Sequence, residues 1–244
     1  MPVGLRVGVA YPAPPFNAMP GDTGLDIDLM TELARAIGEA VDFVAYDGID
    51  GADCGDFDGI FDRLGSGGYD CVAAGTTVTA DRERRATFLP PYLISGQALA
   101  VDTRRLPHVQ SIDDLDGLTI GVQRGNTSNA IAERLVAEGK AARVRLYDYG
   151  DIGTAITDLT TGACDAVLKL APVLAELVKA VPSVDVVQRG LSVEHIAIAV
   201  APADQALAAR LQVAQAELEE DGTLQQIRRR WLGNPYADQS LGAL

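Results

Sequence analysis

The sequence predicts an α/β protein of two lobes, each a mostly parallel sheet flanked by helices and joined to the other by two hinge strands. Three observations predict it. Short apolar runs alternate with stretches of helical period along the whole chain, the mark of strand–helix units. The series runs twice, and two apolar segments, Gln97 to Val101 and His195 to Ala201, read as passages between the lobes. Two further helical stretches follow the second passage. The first lobe is therefore expected to be discontinuous, residues 1–101 plus 196–244, enclosing 102–195 as the second.

In order, Leu5 to Ala10 reads as a strand, and Leu25 to Ala40 as a helix with apolar residues at Leu25, Leu29, Leu33, Ala36 and Ile37. Val41 to Tyr46 is strand, Phe57 to Leu64 a short helix, and Asp70 to Ala74 strand. The second series has strands over Leu118–Val122, Ala142–Tyr147, Cys164–Lys169 and Val184–Val187, and helices over Ser128–Glu138, Ile152–Thr160 and Ala171–Ala180. Ile196 to Val200 is apolar throughout. Helices over Ala203–Glu219 and Thr223–Trp231 close the chain, stopped by Gly222 and Gly233.

Composition narrows the function. A formal net charge of −14 over 244 residues lacks the basic footprint that nucleic acid demands. No run approaches the roughly 18 apolar residues that mark a membrane-spanning helix. Cys54, Cys71 and Cys164 are an odd number, so no complete disulfide framework follows; all three read as structural, with Cys54 the most exposed. The two histidines, His108 and His195, form no zinc spacing with them, there is no Gly-x-Ser-x-Gly elbow, and Gly65-Ser-Gly-Gly is too short to cradle phosphate. No metal or cofactor is expected. Met1-Pro-Val-Gly-Leu-Arg leads straight into a strand with no export-signal pattern before it. Either such a signal has been removed or the domain is not exported.

One stretch is specific. Gly59 to Tyr92 contains Gly67-Gly-Tyr-Asp70, Gly75-Thr-Thr77, Thr79-Ala-Asp-Arg82 and Phe88-Leu-Pro-Pro-Tyr92 in that order. Around it stand Gly24-Leu-Asp-Ile-Asp28, Asp114-Leu-Asp-Gly117, Gly125-Asn-Thr-Ser128, Asp221-Gly-Thr-Leu224 and Arg230-Trp-Leu-Gly233. Together, from Leu5 to Gly233, they resemble the polar amino-acid receptors of ABC importers, which share a fold with the ligand-binding domains of ionotropic glutamate receptors. The resemblance implies a type II periplasmic-binding-protein fold and hinge closure around a small carboxylate-bearing ligand, an amino acid or related organic acid. It also implies an importer permease as partner, a monomer, and a periplasmic or extracellular, membrane-associated location.

The resemblance also implies the site residues. Arg82 matches the family's carboxylate-binding arginine, and a guanidinium grips a carboxylate through two parallel hydrogen bonds that lysine cannot copy. Arg84 and Arg85 read as surface. Gly75 and Thr77 follow a strand at the sheet edge where open α/β sheets bind ligands. Thr127 and Ser128 open a helix, where free N–H groups favour an anion and where Ser or Thr is also a common cap. Phe57 and Tyr11 are ring-wall candidates, while Phe16 reads as core.

Two departures bear on the ligand. Where amino-acid binders of this family carry an acid for the ligand's ammonium, this chain has Leu170, and Ala10 stands at a second such position. Asp165 belongs to the strand motif, and only Asp53 or Asp56, in a Gly/Asp-rich loop, offers a substitute. The preferred ligand is therefore expected not to be a zwitterionic α-amino acid, since a buried ammonium needs a partner. Lys169, one of three lysines, fits either a second anion clamp or a surface lysine at a strand end. The competing reading is an enzyme on the same scaffold, a cyclohexadienyl dehydratase-like lyase. Its general acid falls where Leu170 stands, which counts against it.

Overall fold

The computed structural model describes residues 4–18, 23–46 and 56–233. In chain order the elements are β1 (Leu5–Val9), α1 (Leu25–Ala36), β2 (Val41–Ala45), β3 (Cys71–Val72), α2 (Ala80–Glu83), β4 (Thr87–Phe88), β5 (Leu93–Ser95) and β6 (Gln97–Asp102). There follow β7 (Thr119–Gln123), α3 (Ser128–Ala137), β8 (Arg143–Tyr147), α4 (Ile152–Thr161), β9 (Ala166–Leu170), α5 (Ala171–Val178) and β10 (Val184–Gln188). β11 (Glu194–Ile196), β12 (Ala199–Val200), α6 (Gln205–Glu220) and α7 (Thr223–Leu232) complete the chain. Two compact units result: Met1–Tyr46, Ile60–Leu93 and Ile196–Leu244 form the first, Asp47–Gly59 and Ile94–His195 the second.

The first unit's sheet has the order β2-β1-β3-β12-β4. β1 pairs in parallel with β2 and β3, whereas β12 pairs antiparallel with β3 and β4. Helices α1, α6 and α7 pack on one another. Leu29, Leu33, Leu211 and Leu224 are buried there, as the helical period of the sequence requires. The C-terminal helix is also tied by polar contacts, since Trp231 Nε1 and Arg230 Nη1 both donate to Asp28 Oδ2, at 2.8 and 2.9 Å.

The second unit's sheet has the order β10-β6-β9-β7-β8. Strand side chains alternate, and here both faces are covered. Ala98, Ala100 and Val167 join one core with Ile156, Leu159 and Leu174. Leu99, Val101, Ala166 and Leu168 join the other with Ile120, Ala132 and Leu135. That double burial explains why β6 and β9 read as almost unbroken apolar runs.

Two expectations need correction. The sheets are mixed rather than mostly parallel. β6 and β12 follow extended segments rather than strand–helix–strand crossovers and run antiparallel to their neighbours, while β10, reached from β9 through α5, lies beyond β6 and pairs antiparallel with it. The outward passage lies between Leu93 and Ile94, not after Val101. Residues 97–101, read from sequence as a passage, form β6, which is bonded to β10 and β9 inside the second unit. The passages themselves are marked by β5 and β11, which pair as a two-stranded ribbon.

Candidate functional site

In the first unit, Arg82, Thr77 and Gly75 come together. Thr79 caps the short α2, its hydroxyl accepting from Arg82 N at 3.2 Å. This turns the Arg82 side chain inward, leaving it 4% exposed. Its Nη1 donates to the Thr77 carbonyl at 2.8 Å, and its guanidinium lies 5.8 Å from the Phe61 ring centroid, within cation–π range. Arg84 is exposed and paired with Asp81, and Arg85 with Asp62, as surface arginines should be.

Gly75 has φ +57, and a Cβ there would meet the Phe16 ring at 3.0 Å, so conformation and contact both call for glycine. Its N–H donates to Asp26 Oδ2 at 2.7 Å. Asp26 also accepts from Tyr92 OH at 2.5 Å and Asn17 Nδ2 at 3.1 Å. Burial pushes the Asp26 carboxyl up to about 6, against the pull of those three donors. The Gly75 turn thus rests on a buried acid that sequence reading placed only in a helix-opening motif. Phe16 is core, and Tyr11 is half-buried just beyond β1.

In the second unit, Thr127 occupies the cap position of α3 but makes no side-chain cap. Its hydroxyl lies 2.9 Å from each oxygen of Glu194 and 3.0 Å from Gln97 Nε2. Glu194 is 3% exposed and also accepts from Gln97 Nε2 at 3.0 Å and Ser192 Oγ at 2.9 Å. The capping alternative is therefore wrong for Thr127. Ser128 is buried and its Oγ has no hydrogen-bond partner, so it does not cap either.

Lys169 is 4% exposed, which overturns the surface-lysine alternative. It lies on β9, whose two faces are both covered. Its Nζ donates to Gln123 Oε1 and, at 3.3 Å, to Asn126 Oδ1, and sits 5.6 Å from the Tyr149 ring centroid. Burial pulls its ammonium down to about 7, partly offset by the Glu194 charge. Phe57 is buried and stacks tilted on Tyr149, ring centroids 5.4 Å apart.

Leu170 and Ala10 are buried. Asp165 accepts from Thr119 N at 3.0 Å and pairs with Arg105, so its role is structural. Asp56 is exposed and turns back to accept from Asp58 N, while Asp53 and Cys54 lie outside the described residues. Cys71 and Cys164 are free and buried, and burial raises both thiols. Among the described residues no cluster of His, Cys, Asp or Glu has the makings of a metal site, and no helix is long and apolar enough to cross a membrane.

Glu194, Gln97, Gln123, Asn126, Tyr149 and Asp26 escaped the sequence reading. For Gln97 and Gln123 the signal is a polar residue at the end of a buried strand, the one opening β6 and the other closing β7.

Known proteins are similar to this chain in sequence and fold. The L-cystine-binding protein TcyJ of Escherichia coli (strain K12) is 28% identical over 94% of this chain and 82% of its own length. An ancestral arginine-binding protein bound to arginine superposes with a TM-score of 0.83 at 32% identity, covering 94% of this chain and 98% of that one. An ancestral amino acid-binding protein, a precursor of cyclohexadienyl dehydratase, gives 0.80 at 28%, covering 93% and 94%. The fold is that of the two-lobed, type II periplasmic-binding proteins. The family of bacterial extracellular solute-binding proteins, family 3, matches residues 5–234, and the chain belongs to it.

Proposed function

We propose that this solute-binding receptor captures a small carboxylate-bearing molecule, an amino acid or related organic acid, through Arg82, and delivers it to an ABC-importer permease. The observation that carries this is the buried Arg82 guanidinium, held on the Thr77 carbonyl beside the Gly75 turn. A buried guanidinium favours a bidentate anion over water. The relatives named for cystine and arginine bind molecules with such a carboxylate. Gly75 and Thr77 supply backbone and hydroxyl contacts, and Tyr11 a ring wall. In the second unit Thr127, Ser128, Phe57 and Lys169 supply the remaining contacts. The protein acts as a monomer at the outer face of the membrane. A thermal-shift screen over amino acids and organic acids tests the reading. Carboxylates should raise Tm in the wild type and leave Arg82→Ala unmoved; equal shifts in both would overturn it.

The second reading is a lyase on the same scaffold. Lys169 favours it, a buried lysine titrating near neutrality and so fit for proton transfer. Leu170 disfavours it, since no acid stands there. Mass spectrometry of a stabilising ligand after incubation decides: a receptor returns it unchanged.

A further inference from the structure

We infer that the captured solute is a dicarboxylate, and that Lys169, with Asn126 bonded to it and Ser128 two residues further along the chain in the second unit, takes its second carboxylate. The inference rests on the carboxylate reading above and names the ligand class.

Lys169 is buried on β9 with only neutral acceptors on its ammonium, the amide oxygens of Gln123 and Asn126, and the face of Tyr149. Among the described residues no carboxylate lies within ion-pair distance of it. A buried cation solvated by amides alone is unstable relative to one that also meets an anion. Two further buried groups are unsatisfied: Asn126 Nδ2, on the very amide that bonds Lys169, and Ser128 Oγ, two residues further along the chain. Both donate hydrogen bonds, and buried donors without acceptors are rare in finished structures. Asn126 and Ser128 stand at the start of α3, where backbone N–H groups add to the pull on an anion.

The ionisable groups that interact with Lys169 are Glu194 on β11 and Tyr149 in the turn before α4. Glu194 does not neutralise it by contact, since its oxygens are taken by Thr127, Gln97 and Ser192. Its charge still raises the lysine, yet burial leaves the ammonium titrating at about 7. A second ligand carboxylate would hold Lys169 protonated, so diacid binding takes up a proton near neutral pH whereas monoacid binding does not.

The test is calorimetry on the full chain with succinate, glutarate and adipate, each against its own monoamide. At pH 6 at least one diacid should bind about tenfold or more tighter than its monoamide, the worth of one charge-assisted contact. That preference should shrink as pH rises to 9. Lys169→Met should erase it, bringing the affinities of each diacid and its monoamide together, and Lys169→Arg should restore part of it. Titration in buffers of different ionisation enthalpy should show proton uptake at pH 7 for the diacid alone. Monoamides binding as tightly as diacids would overturn this inference and leave the carboxylate reading intact. No binding by any of these acids would overturn this inference, and the carboxylate reading falls with it only if the amino acids and organic acids of the thermal-shift screen also leave Tm unmoved. Should Lys169→Met fail to fold, the pH trend and proton uptake of the wild type decide alone.

Discussion

The Thr127 hydroxyl lies 2.9 Å from both carboxylate oxygens of Glu194, so a threonine at a helix start serves a buried acid rather than the helix. Thr127→Val keeps the shape and removes a donor from that acid. Unfolding by denaturant should show a loss of about 1–3 kcal/mol, the cost of under-satisfying a buried charged group. Glu194→Gln in the same background should recover part of the loss, and strict additivity of the two changes would argue against their coupling.

Arg82→Lys should cost about 1.5–3 kcal/mol of ligand affinity, because an ammonium cannot reproduce the planar two-point grip. Isothermal calorimetry with any stabilising acid measures it. Near-wild-type binding by Arg82→Ala would remove Arg82 as anchor.

Leu170 and Ala10 are both buried and apolar, and the oxygens of Glu194 are engaged by its own neighbours. In a thermal-shift screen run in pairs, each deaminated acid should therefore stabilise the protein at least as well as its α-amino acid. If the amino acid wins every pair, the ammonium has a carboxylate partner in the protein and this expectation fails.

Asp26 keeps its proton up to about pH 6 when folded and releases it near 3.8 when unfolded. Its stabilising share is thus fully present below about pH 4 and is lost as pH rises through 6. The amount is about 2–3 kcal/mol, from 1.36 kcal/mol per pKa unit. The stability difference between wild type and Asp26→Asn should trace that fall, and a difference flat from pH 4 to 7 would contradict it.

Lys169 shifts the other way, from 10.5 to about 7 on folding. Its share is present above the unfolded value and lost as pH falls through 7. Without ligand, Lys169→Met should stabilise the protein at pH 6 by about 1–3 kcal/mol, and the gain should fade towards pH 10. Equilibrium unfolding at the two pH values checks this.

Helices α1, α3, α4, α6 and α7 were legible because each carries a helical period ended by a glycine or a polar turn, as with Gly38 after α1 and Gly162 after α4. The motifs also placed Arg82, Thr77 and Gly75, which the structure assembles. β4 and β12 are two residues long, too short for any period to show. β6 looked like a passage because a strand covered on both faces has the same composition as an apolar connector. The Glu194 and Lys169 surroundings were illegible for another reason. Gln97 and Glu194 stand 97 positions apart, and Gln123 and Lys169 stand 46 apart, so only the sheet brings them together.

The order of the first unit's sheet has a consequence for how the chain is made. β12 joins β3 to β4, and α6 and α7 cover α1, yet all three are among the last elements to leave the ribosome. The nascent first 93 residues hold two pieces of a sheet with its joining strand missing. The stretch from Ile94 to His195, by contrast, carries every strand of its own sheet and emerges uninterrupted. Vectorial synthesis therefore matures the later-encoded unit first, and leaves the half that bears Arg82 waiting for its closing strand.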